Sequence, residues 1–111
     1  MGYPDPSAGL SHVRTRTVLV QGSSMLPTLR EGDCLLVRLG ASVRAGDVVV
    51  ARLRERPELL VVKRAVEEVD GAWLLASDNP AVDGHGLTGG IGDVEARVLL
   101  RYWPLPVRKL S

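Results

Sequence analysis

The sequence predicts a mainly β fold: a compact, barrel-like antiparallel sheet with one short helix. Three observations lead there. Short Val- and Leu-rich runs recur along the chain, each bounded by turn residues. Gly-Asp pairs stand ahead of several of these runs, and an Asp-Gly pair joins two others as a hairpin turn would. Helical periodicity is confined to one short stretch. At 111 residues and 45% hydrophobic content the chain is expected to build one core and one domain.

Residues 1–13 carry Pro4, Pro6, Ser7 and Gly9 without periodicity and read as a loose N-terminal arm. The expected strands are TVLVQ (17–21), CLLVRL (34–39), DVVVARLR (47–54), ELLVVKRAVEEV (58–69), AWLLAS (72–77) and EARVLLRYW (95–103). Gly32-Asp33, Gly46-Asp47 and Gly92-Asp93 are read as turns leading into three of them, and Asp70-Gly71 as the hairpin turn. MLPTLRE is expected to make one or two helical turns, with Pro27 near the start. SDNPAVDGHGLTGGIGD (77–93) reads as a long loop, of a length that in small domains is often functional. The organisation is an arm (1–13), a single domain (14–104) and a C-terminal tail (105–111).

Composition excludes several functions. A net charge of +1, with charges scattered singly, argues against a dedicated nucleic-acid or membrane-surface binder. The single Cys34 allows no internal disulfide and, at a strand start, reads as a small buried residue. Cys34, His12 and His85 lack ligand spacing, so neither a metal nor a cofactor is expected. No run approaches the roughly 20 apolar residues of a membrane span. The first twenty residues do not read as a signal peptide, and a cytoplasmic chain is expected.

Ser24, in GSSMLPTL, has two readings. As structure, it caps the turn that Pro27 helps to start. As chemistry, it is a nucleophile at a strand-to-turn junction, with backbone amides nearby to hold an oxyanion. The second reading requires a proton acceptor. A triad of Ser24 and His85 with Asp78 or Asp83 is possible by residue type, but no local signature supports it. Lys63 is the better candidate. Twelve of the fourteen basic residues are Arg, yet this apolar stretch keeps a Lys. Strand alternation puts Lys63 on one face with Leu59, Val61 and Ala65, where desolvation would favour a neutral amine able to accept a proton. Arg could not serve, because it stays protonated. The alternative is a Lys snorkelling from an edge strand, and alternation alone leaves the inward face open.

Taken together, GSSMLPTL followed by a Gly-Asp turn, then GDVVV, VVKRAVE and SDN resembles the signal peptidase I-like serine endopeptidases over roughly residues 17–103. The resemblance implies a Ser-Lys dyad, with Ser24 as nucleophile and Lys63 as general base. Gly22, Ser23, Met25 and Pro27 would form the turn and oxyanion surroundings. Asp78 and Asn79 would support the site, with Asp83 as a structural acid. Two departures stand out. The loop after Asn79 reads PAVDGHG, so the hydroxyl that orients the lysine is expected to be absent. Gly22 replaces a serine that supplies an oxyanion donor in some members, so the hole would rest on backbone amides, including that of Ser24.

The short chain with VVKRAVE and a terminal RYWP looks most like the nickel-type superoxide dismutase maturation protease group. The partner implied is a precursor protein or peptide, such as the nickel superoxide dismutase precursor, bound as an extended strand and cut without a cofactor. Two other functions are compatible with the pattern. One is a self-cleaving repressor-type domain, for which Ala8-Gly9 is a bond of the right type, although the short arm leaves no room for a DNA-binding domain. The other is an inactive β-domain that binds extended peptides by strand addition.

Overall fold

The structure, a computed structural model, describes residues 14–83 and 90–111. Seven strands and one short helix follow in chain order: β1 (Arg14–Leu19), β2 (Cys34–Leu39), β3 (Val48–Leu53), β4 (Leu60–Val69), β5 (Ala72–Ala76), α1 (Pro80–Asp83), β6 (Gly90–Trp103) and β7 (Arg108–Lys109). All pairings are antiparallel, in the order β1-β2-β6-β3-β4-β5. Strand β5 pairs back onto β6 at Trp73↔Gly92, so β6, β3, β4 and β5 form a partial ring. This is the mainly β, barrel-like fold expected from the sequence.

Strand β6 makes the closure possible by its length. Its first residues pair with β5, its middle with β3, and Ala96–Trp103 with β2. The sheet buries apolar residues on both faces, which explains why β3 shows no polar alternation. Val48 and Val50 enter one cluster with Met25, Leu29, Leu35, Val37 and Val98. Val49 and Ala51 point the other way and pack with Ala65 and Leu75 inside the ring.

Two Gly-Asp pairs form the same turn. In Arg30–Asp33 and in Arg44–Asp47 the aspartate carboxylate accepts the Arg backbone N–H at 2.9 Å, while its own N–H returns a bond of 3.0 Å. The third pair differs. Gly92-Asp93 lies within β6, which begins at Gly90 inside the expected loop. A Cβ on Gly92 would stand 2.7 Å from the Arg52 carbonyl oxygen and 2.8 Å from a Leu75 methyl. The glycine is there because β3 and β5 both approach it closely. Gly92→Ala is therefore expected to lower stability by about 2 kcal/mol, read as a lower urea midpoint at unchanged slope.

The other strand expectations hold to within a few residues. MLPTLRE, expected to hold the short helix, makes only a turn, closed by Leu29 N–H donating to Met25 O at 2.9 Å, and the helix lies instead at Pro80–Asp83. The loop at 77–93 begins with α1, while the N-terminal arm, His12 and His85 lie outside the described residues. Beyond Trp103 the chain returns: β7 pairs with β6, and Leu110 packs on the first cluster. No described helix is long and apolar enough to cross a membrane.

Candidate active site

After β1 the chain dips into the core at Val20, 3% exposed, and turns at Gly22, whose φ of +80° suits glycine. The Gly22 N–H donates to Glu31 Oε1 at 2.8 Å, so in this structure it serves the turn. Met25 and Leu29 are each 1% exposed and anchor the following residues in the first cluster. Burying side chains of this size contributes about 2 kcal/mol each. Ser24, held between Val20 and Met25, is half-buried, and Pro27 is exposed. Among the described residues the Ser24 hydroxyl accepts no amide hydrogen bond, so the capping role expected of it is not seen.

Lys63 stands in β4 directly opposite Val49, on the ring-interior face with Val61 and Ala65. Leu59, expected on that face, precedes the strand and is partly exposed. Lys63 is 9% exposed, and its Nζ donates to Ser77 Oγ at 2.6 Å. The sequence leads one to expect no hydroxyl at this lysine, yet the structure places one on its Nζ. It comes from the residue before Asp78-Asn79 and not from the loop after it.

A cleft of about 370 Å³ is lined by both Ser24 and Lys63, together with Val18, Leu19, Met25 and Val62. Its walls are the end of β1 and the start of β4. Strand β1 pairs with β2 alone among the described strands, and the register with β5 begins only at Arg64. Among the described residues no strand pairs with the outer edge of β1 or with the Leu60–Val62 edge of β4, and an extended segment could add there.

Residues 77–79 tie these walls together. Asn79 N–H donates to Ser24 O at 2.9 Å, and its Nδ2 donates to Ser23 O at 3.0 Å. Its Oδ1 accepts the Ala81 N–H at 3.1 Å and starts α1. Asp78 accepts Thr28 Oγ1 at 2.5 Å and the Arg64 guanidinium at 2.6 and 3.1 Å, while Arg64 also donates to Gly46 O at 2.8 Å. The Ser24 turn, the Lys63 strand and the β2–β3 turn thus share one polar latch. Thr28, Arg64 and Ser77 were not singled out from the sequence. Asp83 ends α1, and its side chain lies outside the described residues. Among the described residues no group of His, Cys, Asp and Glu could hold a metal.

Burial pushes the Asp78 carboxyl up, but the hydrogen bonds from Arg64 and Thr28, with the Arg64 charge, outweigh it and hold it below its ordinary 3.8. The latch therefore contributes its full stability above that value and loses it as pH falls through the lower folded value. Below about pH 4 the wild type is expected to lose stability more steeply than Asp78→Asn, measured as urea midpoints at a series of pH values.

Ser24 and the buried Lys63 thus line one cleft of a mostly β domain. The family model for Peptidase S24-like proteins matches residues 7–97, and the chain belongs to that family. No match was found among curated proteins or among solved structures.

Proposed function

We propose that the chain is a serine endopeptidase in which Ser24 is the nucleophile and Lys63 the general base, removing an N-terminal extension from a precursor protein. One observation carries this reading: a lysine buried to 9% exposure, bound to Ser77, lines the same cleft as a serine whose hydroxyl caps nothing among the described residues. Burial favours the neutral amine, which in this reading accepts the Ser24 proton. Ser24 Oγ then attacks the scissile carbonyl while the proton passes to Lys63. The oxyanion is held by backbone N–H groups, for which the Ser24 amide, unengaged among the described residues, is the first candidate. Lys63 protonates the leaving amine, and water releases the acyl group with Lys63 again as base.

The substrate enters as an extended strand between the open edges of β1 and β4. The nickel superoxide dismutase precursor is the substrate to which the sequence resemblance points. Family membership also supports a second reading, in which the bond cut lies in the chain itself, with Ala8-Gly9 as the bond of suitable type. One experiment separates them. Wild type and Ser24→Ala are incubated alone and with the precursor, and product masses are followed. A single N-terminal cut in the precursor by wild type only is expected. Loss of mass from the chain alone, at a rate independent of its concentration, would favour self-cleavage. A precursor cut by both proteins would refute Ser24 as nucleophile.

A further inference from the structure

Arg38 and Arg97 stand directly opposite each other across the β2–β6 ladder. Like charges in that relation cost stability, and among the described residues neither forms an ion pair. Both side chains are half-buried, and the Nε of each, like that of Arg101 further along β6, is buried without a hydrogen-bond partner among the described residues. Arg97 reaches only the Ser42 carbonyl at 2.9 Å, and Arg38 makes no hydrogen bond or ion pair among the described residues. The nearest carboxylate along the chain, Glu95, is held by Arg52 at 2.6 Å.

The wider surroundings carry the same sign. Two basic residues lie on β1, one on β2, two on β6 beyond Ala96 and two on β7, with no carboxylate side chain on those segments. The net charge of +1 thus averages two unlike halves of the sheet. A fold that opposes two guanidinium groups and leaves their Nε protons unsatisfied breaks a local rule, as binding sites do. Thr15 faces Arg38 from β1 and adds a hydroxyl to the row.

We propose that Arg38 and Arg97, with Thr15 beside them, bind a phosphoryl oxyanion. Two guanidinium forks match the charge and the several acceptors of a tetrahedral dianion better than one planar carboxylate. The phosphoryl group comes from a free phosphorylated solute or from a lipid headgroup. The second source is suggested by Trp103 and Leu105, 56% and 66% exposed, past the end of the same ladder. The inference does not depend on the peptidase reading.

The test is thermal unfolding of the full chain in sodium phosphate against sodium chloride at matched ionic strength. With phosphate about tenfold above its Kd, the wild-type Tm is expected to rise by about 6 °C. Arg38→Gln abolishes that rise, and in chloride its own Tm lies about 2 °C above wild type because the repulsion is gone. Arg38→Lys, which keeps the charge but not the fork, retains only a weakened response. Vesicles of phosphatidylcholine with phosphatidylglycerol then identify the source. Co-sedimentation lost in both Arg38→Gln and Trp103→Ser assigns a headgroup, and a phosphate response without co-sedimentation assigns a free solute. An equal response from chloride, or one unchanged by Arg38→Gln, overturns the site.

Discussion

Lys63→Met is expected to lower kcat/KM on a precursor substrate by a factor of about 10³ or more while leaving the fold at least as stable as wild type. The two expectations rest on different physics. Met nearly matches the lysine stem in length, so it can fill the same buried position opposite Val49. Removing a buried amine also removes its desolvation cost, partly offset by the lost bond to Ser77. Activity, in contrast, loses its only proposed proton acceptor. Lys63→Arg separates charge from basicity: it keeps a cation in the cleft but cannot accept a proton at working pH, and it should be equally inactive. For the wild type, kcat/KM should rise with pH as the amine becomes neutral. A Lys63→Met protein that keeps a tenth or more of wild-type activity would remove Lys63 from the mechanism.

The strands were legible because β-branched runs and turn residues mark them locally. The RxGD turns at Arg30–Asp33 and Arg44–Asp47 were legible for the same reason, since each is closed by bonds within four residues. Gly92-Asp93 was misread because its glycine answers a packing demand from β3 and β5, which lie distant in sequence. The site divides in the same way. Ser24 and Lys63 stood out as a hydroxyl beside a turn and a lysine in an apolar run. Asp78 and Asn79 were named through the family resemblance, but their partners Thr28 and Arg64 were not, because Thr28 and Asp78 are 50 residues apart and meet only after the ring closes.

Ser77 was hidden for a more specific reason. In the β4–β5 hairpin the turn sets Val69 opposite Ala72 and Glu67 opposite Leu74. Carried on unchanged, that register would put Asp78 opposite Lys63. The irregularity between Ala65 and Glu67 shifts the pairing by one, so that Ala65 faces Leu75 and Arg64 faces Ala76. Extended by one residue, the shifted register brings Ser77 to Lys63 and frees Asp78 for Arg64. A bulge of this kind leaves little mark in composition, yet it decides which side chain meets the lysine.

That exchange makes Ser77→Ala the second large effect expected. Ser77 touches no reacting atom in the proposed mechanism; it positions the amine. Without it, Lys63 Nζ loses its 2.6 Å hydrogen bond, which in the proposed mechanism orients the amine. A decrease in kcat of about 10²-fold is expected, with KM nearly unchanged because the substrate strand lies on the β1 and β4 edges. A purely structural role would instead lower stability and leave the pH profile alone. Ser77→Ala should shift the pH dependence of kcat/KM, since the environment of the base has changed, and Ser77→Thr, which restores the hydroxyl, should recover most of the rate. Unaltered kinetics in Ser77→Ala would mean that the bond to Lys63 only completes the hairpin, and that whatever orients the amine lies elsewhere in the cleft.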